Sequence, residues 1–259
     1  MPTEFSARVL ANRALAPGLF VLELADCEPL VGCLPGQFVM VRGEWGRDPL
    51  LPRAFSLLSA RHGKCELLIK ALGRGSRLLE RSAVGATLQL LGPLGRPFPV
   101  PRAERRDFLI AGGVGLAPLL WHAEEAVRAG AKVELFYGAR QEAELVLRER
   151  IEATGCRVQF TTEDGSFGRP GRVTAALQAR LDEEHPTLLT CGPNAMMRAV
   201  VEIARARNLA CFVSVEGEMA CGIGACLGCA VQSAPGAARA YHYACIDGPV
   251  FDALQVVLP

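Results

Sequence analysis

Apolar residues recur at two different spacings along the chain, and the change from one to the other divides it. From Phe5 to about Phe98, short β-rich runs (ARVLANRAL, LFVLELA, GQFVMVRG, CELLIKAL, ATLQLLG) are separated by Gly and Pro at hairpin-like intervals. This pattern predicts a small antiparallel β-barrel. In PFPVPRAERRD three prolines and then five charges crowd a short span, which suits a linker better than a core element. Beyond it, strand-like and helix-like runs alternate. DFLIAGG, KVELFYGAR, VQFTTED, PTLLTCG and ACFVSVE read as strands, whereas APLLWHAEEAVRAG, AELVLRERIEATG, VTAALQARLDE and NAMMRAVVEIARARN read as helices. Strand and helix in turn predict a doubly wound α/β unit with a parallel sheet. From Gly217 onward the chain is Gly-, Ala- and Cys-rich without clear periodicity, as expected of a segment folded around something other than its own side chains. The expected division is 1–99, 103–212 and 213–259.

Length and composition narrow the function classes. At 259 residues the chain suits two domains, or two with a small appendage. An apolar content of 50% and a charged content of 21% disfavour disorder, collagen and coiled coil. Lys plus Arg is 28 against 27 Asp plus Glu, so no basic field is available to hold nucleic acid or an anionic membrane. The least polar stretch, Phe108 to Ala123, is shorter than the ~20 residues of a spanning helix and is broken by three glycines and a proline. MPTEFSARVLANRAL lacks the features of a secretory signal, which makes the cytoplasm the expected location. In that setting a cluster of cysteines reads as metal-binding or catalytic rather than as a disulfide framework.

Four of the ten cysteines, Cys221, Cys226, Cys229 and Cys245, form a C-x4-C-x2-C-x15-C pattern. C-x4-C-x2-C opens the plant-type [2Fe-2S] arrangement. Gly222, Gly224, Ala225 and Gly228 leave room for the backbone to wrap a cluster and aim N–H groups at its sulfurs. Structural zinc is the alternative, although its sites usually pair two short knuckles across a longer loop. Cys27, Cys33, Cys65, Cys156 and Cys211 read as small buried hydrophobes. Cys191 differs, because it falls before Gly192-Pro193 at the carboxyl edge of a predicted strand, where open α/β sheets bind ligands.

Three further motifs suit phosphorylated cofactors. Arg53-Ala54-Phe55-Ser56 supplies a cation for a pyrophosphate, an aromatic beside a flavin ring and a hydroxyl to bond it, although alone it also fits a strand with one surface cation. Lys70-Ala71-Leu72-Gly73-Arg74-Gly75-Ser76 places a cation, glycines and a hydroxyl where a strand turns into a helix, as either an anion site or an ordinary capped turn. Gly112-Gly113-Val114-Gly115 lies between the first strand and helix of the alternating region, where a dinucleotide pyrophosphate binds, with Pro118 in place of the last fingerprint glycine. His62, His122, His185 and His242 are scattered, and no residue is assigned a proton-transfer role.

RAFS, KALGRGS, GPLG, AGGVGLAPL, TEDGSFG, CGPNAMM and MACGIGACLGC occur in an order that resembles the electron-transfer subunits of type 1B dihydroorotate dehydrogenases, within the ferredoxin-NADP reductase superfamily. The resemblance spans essentially the whole chain, and the cysteine motif narrows it to the subunit family. It implies an FAD-binding barrel, an NAD-binding α/β domain and a C-terminal [2Fe-2S] segment held by the four clustered cysteines. Arg53 to Ser56, Leu68, Ile69, Lys70, Gly75 and Ser76 match the flavin segments, while Gly112 to Gly115 and Cys191 to Pro193 match the nucleotide loop and the wall near the nicotinamide. Ala54, Ser76 and Arg96-Pro97 depart from the usual Pro, Thr and Asn-Gly. The implied partner is an FMN-containing catalytic subunit in a heterotetramer of two of each chain. Electrons from dihydroorotate would pass through the cluster and FAD to NAD+ in pyrimidine synthesis, with the cluster near the subunit interface and residues 217–225 and 241–245 partly covered. A subunit of another oxidoreductase, such as a sulfhydrogenase or a ferredoxin-dependent transhydrogenase, would share the superfamily motifs. A non-catalytic module is disfavoured by the intact cluster and flavin motifs. Arg140, after the second strand of the alternating region, is able to meet a 2′-phosphate, which leaves NADH and NADPH both open.

Overall fold

The computed structural model describes residues 2–181 and 185–258. Six strands, β1 (Thr3–Ala16), β2 (Leu19–Ala25), β3 (Phe38–Gly43), β4 (Arg53–Arg61), β5 (Lys64–Lys70) and β6 (Thr87–Leu94), close an antiparallel barrel in the order β1-β2-β5-β4-β3-β6. Closure depends on β1, which pairs with both β2 and β6 and shifts register at Val9/Ala11 and Ala14/Ala16; such irregularities bend a strand around a barrel. Leu22, Leu24, Val39, Val41, Leu57, Leu67, Leu88 and Leu90 fill the interior. Strand β4 is absent from the five runs legible in the sequence. It is joined to β5 by His62-Gly63, both at positive φ (52° and 70°), a two-residue hairpin turn without the usual Asn-Gly or Asp-Gly signature. Helix α1 (Arg74–Glu80) bridges β5 and β6.

The alternating region forms six parallel strands, β7 (Arg106–Gly112), β8 (Lys132–Ala139), β9 (Arg157–Thr162), β10 (Arg169–Pro170), β11 (Thr187–Cys191) and β12 (Cys211–Ser214). Helices α2 (Leu116–Arg128), α3 (Arg148–Ala153), α4 (Val173–Arg180) and α5 (Asn194–Ala206) cover the sheet. Because side chains alternate along a strand, Leu109 and Ala111 of β7 pack with α2 and Ile151 of α3. Phe108 and Ile110 pack on the opposite face with α4 and α5. The helix expected over 143–155 is shorter: a 3-10 turn spans Glu142–Glu144 and Leu147 takes φ 59° just before α3. Of the helix expected over 173–183, Asp182 and Glu183 lie outside the described residues.

The C-terminal segment carries a hairpin, β13 (Ala230–Gln232) and β14 (Tyr241–Tyr243), and then β15 (Val250–Asp252). Strand β15 pairs antiparallel with β12 and extends the parallel sheet to seven strands. The segment is therefore joined to the sheet by a backbone ladder.

Barrel and sheet are locked together through α2. Trp121, 2% exposed, sits in the barrel core, and its indole N–H donates to Glu125 Oε1 at 3.1 Å. Around it, Arg61 of β4 pairs with Glu124 and Glu125 at 3.0 and 2.8 Å. Arg150 of α3 reaches Glu66 of β5 and Glu124 at 2.7 and 2.9 Å. The linker is held by Arg105, whose guanidinium donates to the Pro99 carbonyl and to both carboxylate oxygens of Asp107. Fully buried Asp107 also lies 3.0 Å from His122 Nε2. Burial alone would raise the Asp107 pKa, but the bonds from His122 and Arg105 outweigh it and hold the carboxyl below the usual range.

Candidate functional site

A cavity of about 270 Å3 opens between the barrel and the sheet edge, lined by Ala54, Phe55, Ser56, Leu68, Ile69 and Lys70. These are the residues expected to face a flavin, carried by β4 and β5 where the two strands diverge from their hairpin. Val114 and Ala117, at the start of α2, line the same cavity together with Phe38, Glu216, Met219 and Pro249. Arg53 instead crosses the start of α1: its Nη1 donates to the Leu51 carbonyl at 2.7 Å, and a Cβ on Gly75 would come within 2.9 Å of its Nε. Ser76 Oγ accepts from the N–H groups of Leu72 and Gly73, both at 3.1 Å, and donates to the Gly73 carbonyl. Its hydroxyl thus closes the loop, and the loop holds the turn over which Arg53 lies.

Glu216 was not singled out by sequence reasoning. It follows the carboxyl end of β12 and lines the cavity with no cation paired to it among the described residues. Its side chain is solvent-accessible by way of the cavity, yet desolvation by the surrounding protein raises its pKa. The available signal was positional: an acidic residue at the carboxyl edge of a parallel strand, where ligands bind.

A second cleft of about 360 Å3 lies across the ends of β7, β8 and β9, lined by Gly112, Gly113, Pro193, Met196, Arg140 and Glu144 among others. Lys70 lines both spaces, so the two are adjacent. Gly115 lines neither, but a Cβ there would meet the Cys191 carbonyl oxygen at 2.3 Å; only glycine lets α2 begin this close to β11. Gly192 packs in the same way against Gly112. Cys191, expected at the wall near the nicotinamide, is 1% exposed and lines neither space. Burial, reinforced by the Glu216 charge, raises its thiol pKa, against a bond to Ser214 that lowers it. At neutral pH Cys191 is a packed thiol rather than a nucleophile.

The four clustered cysteines come together on the C-terminal segment as two pairs. Cys229 Sγ lies 3.2 Å from Cys245 Sγ, and the Cys226 N–H donates to Cys221 Sγ at 3.4 Å. The Gly224 N–H donates to Cys245 Sγ at 3.2 Å. Burial raises the Cys221 pKa, but backbone N–H groups of Cys226, Ile223 and Ala225 outweigh it and bring the thiol down to about 7. Cys245 is pushed up to about 12 by burial and by its bond to Cys229. Among the described residues no three His, Cys, Asp or Glu side chains converge on a single ion position. Two thiol pairs with N–H groups aimed at sulfur fit the chemistry of a two-iron cluster, for which these four side chains would supply the thiolates. Gly222, at φ 75°, would bring a Cβ within 2.7 Å of Met40 Cγ, so its absence of side chain lets the loop rest on β3. His242 makes an edge contact with Phe251.

Three family models match successive parts of the chain: an oxidoreductase FAD-binding domain over residues 16–98, an oxidoreductase NAD-binding domain over 109–202, and the iron-sulfur cluster binding domain of dihydroorotate dehydrogenase B over 216–257. The electron transfer subunit of dihydroorotate dehydrogenase B (NAD(+)) from Geobacillus kaustophilus is 40% identical, over 86% of this chain and 87% of its own length. That of Desulforamulus reducens is 33% identical over 99% of both chains. A solved NADH-dependent reduced ferredoxin-NADP oxidoreductase superposes with a TM-score of 0.87 at 25% identity, covering 97% of this chain and 90% of that one. No helix among the described residues is long and apolar enough to cross a membrane. With FAD-binding, NAD-binding and iron-sulfur domains in that order, the chain belongs to the family of electron transfer subunits of NAD-dependent dihydroorotate dehydrogenase B.

Proposed function

We propose that this chain carries electrons between an FMN-containing dihydroorotate dehydrogenase catalytic subunit and NAD+, in a cytoplasmic heterotetramer of two of each chain. When bound, FAD exchanges a hydride with a nicotinamide and single electrons with a [2Fe-2S] cluster, which joins two-electron to one-electron chemistry. Cys221, Cys226, Cys229 and Cys245 hold the cluster. Ala54, Phe55, Ser56, Leu68, Ile69 and Lys70 wall the flavin ring, and Arg53 with the Gly75-Ser76 turn takes the diphosphate. Gly112, Gly113 and Pro193 receive the dinucleotide. Val114, Gly115, Cys191 and Gly192 shape the wall between flavin and nucleotide, and the working division remains 1–99, 103–212 and 213–259. No side chain is assigned a proton-transfer step, because hydride transfer between stacked rings depends on positioning.

The observation that carries this reading is the placement of β3. Phe38 at its start lines the flavin cavity, while Met40, two residues on, supports the cysteine loop at Gly222. The cysteine loop and the flavin cavity are thus adjacent across one strand. Around the thiols, Ile223, Leu227, Ile246 and Tyr241 are each about half exposed (53, 51, 46 and 54%). Exposed apolar side chains on an electron-carrying segment suit a protein partner; Ile223 and Tyr241 support residues 217–225 and 241–245 as the subunit contact, and Leu227 and Ile246 flank them. Dihydroorotate-dependent reduction of NAD+ is the test, after anaerobic co-purification with the FMN subunit. Activity in the mixture and in neither subunit alone is expected. A complex that holds all its cofactors yet takes no electrons from dihydroorotate would move the search to another redox partner.

A further inference from the structure

The cleft at the ends of β8 and β9 contains a charge arrangement that the electron-transfer reading does not use. Arg140 follows β8, where the adenosine ribose of a dinucleotide lies and where an acidic side chain or an arginine decides between a 2′-hydroxyl and a 2′-phosphate. Here both are present and bound to each other. Glu144 accepts from the Arg140 backbone N–H at 3.3 Å and from its Nε at 3.2 Å, and also bonds its Nη2. The Arg140 fork therefore offers a ligand only its remaining edge.

The acceptor itself is built in. Glu144 ends a 3-10 turn at Glu142–Glu144, and its carbonyl accepts the hydroxyl proton of fully buried Tyr137 at 3.1 Å. Its carboxylate is 81% shielded from solvent by relative area, with 19% exposed. The Arg140 bonds keep that carboxyl ionised by lowering its pKa, against a smaller opposing effect of burial. Glu163, which follows β9, lines the same cleft and adds a second negative charge near Arg140. The other cations of the cleft are Lys70, which borders the flavin cavity, and Arg172, which precedes α4.

We propose that Glu144, by occupying the guanidinium of Arg140 and together with Glu163, makes this cleft select a dinucleotide with a free 2′-hydroxyl over one with a 2′-phosphate. A phosphomonoester brings nearly two negative charges; here it would face two carboxylates and an arginine with one edge left to offer. A ribose hydroxyl instead donates to Glu144. The inference rests on the cleft being the NAD site and specifies what that site rejects.

The test uses full-length, FAD-loaded protein and compares calorimetric affinities for 5′-AMP and adenosine 2′,5′-bisphosphate, which isolates the 2′-phosphate from hydride transfer. The wild type should bind 5′-AMP more tightly. Glu144→Gln should shift the affinity ratio toward the bisphosphate by about tenfold or more, the scale of one charged hydrogen bond, and adding Glu163→Gln should shift it further. Arg140→Ala in the Glu144→Gln background should abolish the gain. A ratio unmoved by either Glu substitution overturns the proposal, and so does a gain that survives Arg140→Ala, which would place the phosphate contact on Arg172. Anaerobic mixing with NADH separates the two levels of the argument. Flavin bleaching with unmoved ratios refutes the selectivity device alone, whereas no bleaching by NADH or NADPH refutes the functional reading and this inference together.

Discussion

The barrel and sheet satisfy their backbones differently from the C-terminal cysteine segment. In the barrel and sheet, N–H groups are consumed by ladders of up to 14-residue strands, over cores of fully buried Leu, Val and Phe. Between Gly217 and Cys229 there is no strand or helix, and N–H groups of Gly224 and Cys226 go to sulfur. The first kind of structure is specified by apolar patterning, and its cores are filled by the chain's own side chains. The second is specified by thiol spacing and small residues, and a group held by its thiols would add to its order.

Cys229→Ser should break this comparison most severely. Iron and sulfide analysis should show the cluster lost, while FAD content and the main thermal transition of barrel and sheet persist; loss of FAD along with the iron would show that the regions are not separable. Next, within the ladder-built region, Asp107→Asn leaves His122 and Arg105 facing a neutral, buried partner. A loss of about 3 to 5 kcal/mol in denaturant unfolding is expected, as for a broken buried pair, with iron content per folded molecule unchanged. Because the Asp107 pKa is lowered in the folded state, its stabilisation is present above the unfolded carboxyl value and is lost as pH falls through the folded one. The wild type should therefore approach the variant in acid.

Gly222→Ala tests the seam between the regions. A left-handed residue with a Cβ costs about 1 to 2 kcal/mol, and here it also meets Met40. Faster cluster loss at an unchanged barrel melting temperature is expected, and an unaltered cluster half-life would mean that the loop has slack. The smallest effect is expected at Glu216. Its carboxyl pKa is raised in the folded protein, so stability is greatest below the unfolded value near 4.5 and declines as pH rises through the folded one. Glu216→Gln should flatten that decline in cofactor-free protein, with the difference from wild type growing toward neutral pH; parallel curves would mean that its charge is already compensated.

What the sequence disclosed follows the same divide. Alternating apolar runs located five of the six parallel strands and most helices, because burial on one or both faces leaves a periodic trace; β10, two exposed residues paired with β9, leaves none. Strand β4 escaped because its turn, His62-Gly63, lacks the usual residues, and α3 was read too long because Leu147 breaks the helix with a backbone angle that its side chain does not advertise. The cysteine loop was legible from spacing alone. Its three-residue strands were not, β15 least of all, since Val250–Asp252 gains its pairing from β12, some forty residues earlier in the chain. Among site residues, Ala54 to Ser56 and Leu68 to Lys70, from two separate segments of the sequence, line one cavity. Glu216 left only a positional signal, and Arg140 was legible from its place after a predicted strand, but its bonds to Glu144 depend on a 3-10 turn at the start of a stretch that reads as helix.

The central claim is that one chain passes electrons between a nicotinamide, a flavin and a [2Fe-2S] cluster held by Cys221, Cys226, Cys229 and Cys245. An anaerobic NADH titration followed by absorbance and electron paramagnetic resonance tests it most directly. The account predicts flavin bleaching together with the signal of a reduced [2Fe-2S] cluster in the wild type, and bleaching without that signal in Cys229→Ser. A wild-type flavin that bleaches while its intact cluster stays oxidised, even with excess NADH and a mediator-verified potential low enough to reduce it, would contradict the claim.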